Sequence, residues 1–141
     1  YGQAKGARII CACLPGNYHE IGLLLFSLAA LARGYRVLYF GADLPVNQLV
    51  HIQKQSASRA IVLSTNTPIP ARVNSELSEV MHMMKTPLYL GGRVEQKDAS
   101  QLQSNGGIVL GSNLTIALRI FENQVPAYPS SRSAPSREWQ E

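Results

Sequence analysis

An alternation constrains this chain more than any other feature. Five short apolar runs, RIICAC (8–13), RVLYFG (36–41), AIVLS (60–64), PLYLGG (87–92) and GIVLG (107–111), recur at intervals that leave room for one helix after each. Each is rich in Val, Ile, Leu or Tyr and is followed by turn residues, the pattern of a strand. The runs are continuously apolar, as expected of parallel strands covered on both faces. Helices are predicted near 20–33, 46–56, 71–84, 96–103 and 113–122. Gly34 is placed to end the first helix, and Asn105-Gly106-Gly107 marks the turn into the last strand. Five βα units predict an α/β fold: a flavodoxin-like, Rossmann-like doubly wound five-stranded parallel sheet of order 2-1-3-4-5. Right-handed crossovers then distribute the helices over both faces.

At 141 residues the chain is long enough for one domain with a real core. The βα units occupy residues 1–122. The segment 123–141, NQVPAYPSSRSAPSREWQE, is rich in Pro and Ser without periodicity, and reads as a disordered tail in which Trp139 has no core role. The net charge is +4, but the 13 Lys and Arg residues are scattered and form no stripe in the sequence that would track a nucleic-acid backbone. Cys11 and Cys13 stand two apart on a predicted strand. That spacing suits neither a disulfide nor a zinc or redox CxxC pair, so both are expected to be buried and reduced, in a cytoplasmic setting. The apolar run 21–32 is too short to span a bilayer and includes Ser27. A start at Tyr1 rather than Met is what a piece of a longer protein would show.

In open α/β sheets ligands bind beyond the carboxyl ends of the strands, where the strand order reverses. Here that edge carries 14–19, 64–70 and 91–93. In the first of these, LPGNYHEIG, two readings stand side by side. Asn17 and Glu20 are spaced as a capping box for the first helix; alternatively, His19 is a metal ligand and Asn17 its supporting partner. After strand 3, Ser64 and Thr65 could bond a ligand or satisfy loop backbone. Gly91-Gly92 permits close approach by a ligand or a tight turn. The first helix is apolar almost all round, which suggests cover on more than its sheet-facing side. His51 and His82 fall on predicted solvated faces, and Met81, Met83 and Met84 are expected to fill core gaps. Neither GxGxxG nor a P-loop is present, and no carboxylate ends strand 3.

Taken together, N-Y-H-E-I-G after strand 1, Ser64 after strand 3 and Gly91-Gly92 after strand 4 resemble the D-x-H-x-x-G, S-x-L and G-G signature of cobalamin-binding domains. GYRVLYFGADLPVNQLV (34–50) looks like that family's second strand and the Asp43-x-Pro45 turn behind it. More closely, LPGNYHEIGLLLFSLAALARGYRVLYFGADLP is similar to the C-terminal sensor domain of B12-dependent MerR-family transcriptional regulators, some of which respond to light through adenosylcobalamin. The resemblance spans about 8–122.

It implies a cobalamin cofactor, as adenosylcobalamin or methylcobalamin, with His19 as the lower axial cobalt ligand. The displaced nucleotide tail would enter a pocket beside strands 1 and 3, lined by Ser64, Thr65 and Gly91-Gly92, with Gly22 letting the first helix start close to it. Two departures are present: the family's Asp is Asn17, and the Leu of S-x-L is Asn66. Both weaken a methyl-transfer reading more than a sensory one. The implied function is a non-catalytic sensor that acts as a homo-oligomer, with no membrane role, and reaches DNA only through a separate N-terminal domain. The alternatives are a corrinoid carrier domain of a methyltransferase or mutase, and a degenerate domain kept for dimerisation without cofactor.

Overall fold

A computed structural model describes residues 6–17, 20–42 and 44–128. Five parallel strands, β1 (Arg8–Cys13), β2 (Arg36–Gly41), β3 (Ala60–Thr65), β4 (Leu88–Gly92) and β5 (Ile108–Gly111), form one sheet of order β2-β1-β3-β4-β5. The helices are α1 (Ile21–Ala32), α2 (Leu49–Ser56), α3 (Ala71–Met83), α4 (Gln96–Ser104) and α5 (Leu114–Gln124). The predicted flavodoxin-like sheet, its strand order and each predicted strand are thus present. Among the described residues no helix is long and apolar enough to cross a membrane.

The apolar runs become central strands because the sheet is buried on both sides. Along β1, Ile9, Cys11 and Cys13 enter one core while Ile10, Ala12 and Leu14 enter the other, the period-two alternation of a strand divided between two layers. The first core lies under α1 and α5. At its centre Phe121 packs against Phe26, Tyr35 and Tyr89, with ring centroids 5.6, 5.4 and 5.0 Å away. Such pairs contribute about 0.5–1.5 kcal/mol each beyond area burial. The second core, under α2, α3 and α4, is aliphatic: Leu49, Val73, Leu77 and Leu102 close over Ile61, Leu63, Leu88 and Leu90. Cys11 and Cys13 are free thiols buried in the first core. Burial pushes them up to about 12 and about 11.

Several boundaries differ from the sequence reading for local reasons. The predicted 46–56 helix begins as a 3₁₀ turn, Val46–Gln48, because Pro45 enters it in an extended conformation. α5 continues to Gln124, and 125–128 pack with the body: Ala7 N–H donates to Ala127 O, and the Tyr35 hydroxyl donates to Val125 O. The packed body therefore passes the 122/123 boundary read from composition. Residues 129–141, with Trp139, lie outside the described residues. Met81 and Met84 pack against the second core, whereas Met83 is 68% exposed at the end of α3, so the expectation that it fills a core gap is corrected. His51 and His82 are exposed.

α1 turns Leu23, Phe26 and Ala30 inward and leaves Ile21, Leu24, Leu25, Leu28 and Leu31 exposed. No element among the described residues covers that face.

Candidate ligand-binding site

The carboxyl edge of the sheet is held together by asparagine side chains. β1 ends in a turn in which Asn17 N–H donates to Leu14 O, while Leu14 N–H donates to Ser64 O and so prolongs the β1–β3 pairing. This delivers the buried Asn17 side chain to the end of β3. Its Oδ1 accepts from Asn66 N–H at 2.8 Å, and its Nδ2 donates to Thr65 Oγ1 at 3.1 Å. The backbone donor fixes which end of the amide is oxygen. Thr65 Oγ1 donates onward to Thr67 O at 2.9 Å. Asn66 repeats the device one loop further along, its Oδ1 accepting from Arg93 N–H at 3.2 Å. The loops after β1, β3 and β4 are thus linked by neutral amide groups.

This arrangement corrects the capping reading. α1 starts after Glu20, which adopts a helical conformation and makes no side-chain cap bond, and Asn17 faces β3 rather than the free amides of the helix. The Glu20 carboxylate instead accepts from the Tyr39 hydroxyl at 2.7 Å. A half-buried loop amide at Asn66 needs an acceptor more than a solvated helix start does.

Beside this network lies a cavity of about 470 Å³. Its floor is apolar, built from Leu23, Phe26, Val62, Leu63, Leu110 and Ala117, and its walls carry Gly22, Ser64, Asn66, Gly91 and Gly92. β5 and the start of α5 close the far side with Gly111, Ser112, Asn113 and Leu114. Asn113 caps α5, accepting from Ile116 N–H at 3.0 Å. At Gly92, where φ is +96°, a Cβ would stand 2.1 Å from Thr65 O, so the sharp exit from β4 depends on glycine. At Gly22 a Cβ would meet no atom within 4 Å among the described residues beyond its chain neighbours and its own helix backbone.

Of the residues singled out from sequence, Gly22, Ser64, Gly91 and Gly92 line one cavity. Thr65 does not line it. It is buried, with its hydroxyl committed to Asn17 and Thr67. Asn17 likewise supports the loops from beneath. His19 and Asp43, the latter belonging to the expected Asp-x-Pro turn, lie outside the described residues. The β5 wall was missed: GSNL (111–114) contains no ionisable residue, and only its Gly and its Asn cap distinguish it from an ordinary strand–helix turn. Among the described residues no cluster of His, Cys, Asp or Glu could hold a metal ion.

No family model matches the chain. It is 33% identical over 76 residues to the HTH-type transcriptional repressor CarA of Myxococcus xanthus, a match spanning 54% of this chain and 25% of that protein. The chain therefore matches about a quarter of its curated relative. Among solved structures it resembles a cobalamin-binding protein from Desulfitobacterium hafniense DCB-2, with a TM-score of 0.68, 22% identity and coverage of 86% of this chain and 60% of that one. It also resembles the methanol:cobalamin methyltransferase complex MtaBC from Methanosarcina barkeri, with a TM-score of 0.71, 20% identity and coverage of 83% and 45%. By architecture, then, the chain is a five-stranded flavodoxin-like domain, a fold that it shares with both of these structures.

Proposed function

We propose that this chain is a cobalamin-binding sensory domain of a MerR-type bacterial transcriptional regulator. The observation that carries the reading is the cavity at the carboxyl edge, where four glycines and a buried serine surround an apolar floor. The residues fit the nucleotide tail of a corrinoid. Ser64 is 7% exposed, and its hydroxyl makes no side-chain hydrogen bond among the described residues; a buried hydroxyl facing an open cavity calls for a partner. Gly22 leaves empty the space that any larger side chain would enter.

In this reading His19 would hold the cobalt through its imidazole, a role suited to a neutral nitrogen donor. The bound group would supply a cobalt–carbon bond whose making or loss is the signal. The chain's own residues bind and position. Gly91-Gly92 and Gly22 admit the tail, Ser64 bonds it, and Asn17 and Asn66 hold the three loops in register. The domain does no chemistry itself. It acts in the cytoplasm by changing how protomers assemble, with DNA bound through a separate N-terminal domain. The match to a transcriptional repressor supports the regulatory side.

The likeness to a methyltransferase complex supports a second reading, a corrinoid carrier for methyl transfer. The neutral Asn17 weighs against it, because this side chain brings no carboxylate to the ligand loop. Spectral titration of the purified chain with hydroxocobalamin and adenosylcobalamin in the dark, beside His19→Ala, tests the proposal. Binding with a histidine-ligated spectrum that disappears in the variant is expected. Absence of binding would overturn it in favour of a domain kept for dimerisation alone, and a bound spectrum indifferent to His19→Ala would overturn the role of His19. Light scattering before and after illumination separates a sensor, whose assembly changes, from a carrier, whose assembly does not.

A further inference from the structure

The cavity has a charge pattern that the tail reading does not use. Among the described residues that line it, Arg93 is the one charged side chain, and none is a carboxylate. Arg93 is exposed and has no salt-bridge partner among the described residues, whose ion pairs are Arg33–Glu122 and Lys97–Asp98. Its backbone is held in place. Gly92 forces the chain out of β4 at φ +96°, and Asn66 Oδ1 accepts from Arg93 N–H at 3.2 Å. The rim around it is made of neutral donor-bearing groups, Asn66, Ser112 and Asn113, and the first turn of α5 carries no acidic residue. An apolar, glycine-lined floor with a single unpaired cation at its wall suits a ligand that is mostly flat and uncharged but bears one anionic group.

We infer that Arg93 is a specificity-determining residue that binds the phosphodiester of the cofactor's nucleotide tail. The inference rests on the cobalamin reading above and adds to it a charge requirement. Arginine is suited to the task because its planar donors match phosphate oxygens in pairs and it stays charged at any working pH. Nothing of the sort is required for the corrin ring, whose periphery carries neutral amides. Arg93 therefore separates a complete cobalamin from cobinamide, which keeps the corrin but lacks the phosphodiester and base.

The test is visible-spectrum titration of the full chain, wild type, Arg93→Ala and Arg93→Lys, with hydroxocobalamin and with aquated cobinamide, at low and at high salt. Arg93→Ala is expected to bind hydroxocobalamin roughly 10-fold more weakly than wild type, the loss of about one charge-assisted contact. It should bind cobinamide as wild type does and show a shallower salt dependence for hydroxocobalamin. Arg93→Lys is expected to recover part of the loss, since it restores charge without the paired donors. Thermal melting without ligand should match wild type, because the side chain is exposed.

Equal weakening toward both ligands would overturn the inference, as would no weakening toward either. In both cases wild-type binding of hydroxocobalamin leaves the cobalamin reading standing. If wild type binds neither compound, that reading fails and the role of Arg93 fails with it.

Discussion

Replacing Asn17 by an aspartate restores the carboxylate of the cobalamin-domain signature, and the local geometry says that this chain would resist it. In the native network Asn17 Oδ1 takes the Asn66 amide at 2.8 Å while Nδ2 donates to Thr65 Oγ1 at 3.1 Å. The one hydroxyl proton of Thr65 is already directed at Thr67 O. An aspartate would put a second oxygen against Thr65 Oγ1 with no proton between them. The lost Asn17–Thr65 bond costs about 1 kcal/mol, and an unsatisfied charge at a site only 4% exposed adds about 1–3 kcal/mol. A stronger acceptor for Asn66 N–H returns about 0.5–1 kcal/mol. The net expectation for Asn17→Asp near pH 8 is about 1–3.5 kcal/mol of lost stability, or a melting point lower by roughly 4–14 °C.

The same geometry makes the stability of the variant depend on pH. Burial and the missing donor raise the folded pKa of the introduced carboxyl above its unfolded value of about 3.9. Once protonated, that carboxyl could donate to Thr65 as the amide does, so the variant is nearest to wild type below the unfolded pKa. It loses stability as pH rises through the raised folded value, and the deficit is constant above that. Urea unfolding followed by far-ultraviolet circular dichroism at pH 5 and pH 8, each against wild type, measures this directly. An Asn17→Asp protein as stable as wild type at pH 8, or a deficit that shrinks with rising pH, would refute the reasoning.

Three further expectations follow from other parts of the fold. Asp98 is 1% exposed and accepts from Ile69 N–H at 2.9 Å and from Asn74 Nδ2 at 3.1 Å; Asp98→Ala should cost about 2–4 kcal/mol in the same urea assay, because both donors are left buried without an acceptor. Gly92→Ala places a Cβ 2.1 Å from Thr65 O at φ +96°, and should cost about 2–4 kcal/mol while weakening hydroxocobalamin binding, read by melting and by titration. Cys11 and Cys13 are pushed up to about 12 and about 11 by burial, against about 8.5 in an unfolded chain. Their contribution to stability is therefore fully present below about pH 8.5 and declines as pH rises toward 11, and a thiol reagent should label them only as fast as the protein unfolds.

Periodicity made the scaffold legible, because burial on both faces leaves each central strand as an uninterrupted apolar word between turn residues. What it could not reveal was the destination of polar side chains. Asn17 and Glu20 have the spacing of a capping box, yet each has a better partner in another strand or its following loop, Asn66 in one case and Tyr39 in the other. Such pairings depend on which loops meet in space, a property of topology rather than of the local word. Residues 125–128 were obscured by the opposite effect: Pro126 and the Ser-Pro composition beyond it look like linker, but Val125 and Ala127 find partners at Tyr35 and Ala7, far away in sequence. The glycine and serine positions of the cavity could be read from the strand ends because ligands in this fold collect there. The β5 wall could not be, since an Asn-capped turn has no distinguishing pattern by itself, and Arg93, though it falls in the 91–93 edge, carries no local pattern that marks a ligand contact.

The bond between Ala7 and Ala127 brings the first and last described stretches of chain to the same pole, at the end of the sheet away from the cavity. A folded unit whose boundaries meet in this way can be spliced into another protein like a cassette, entering and leaving through one point while its opposite face stays clear. For the same reason Gly6 and Tyr128 could be joined by a linker and new ends opened at Gly106, an exposed glycine turn between α4 and β5. A permuted chain of that kind would open its new ends at the same pole, beside the start of β5, without touching any residue that lines the cavity.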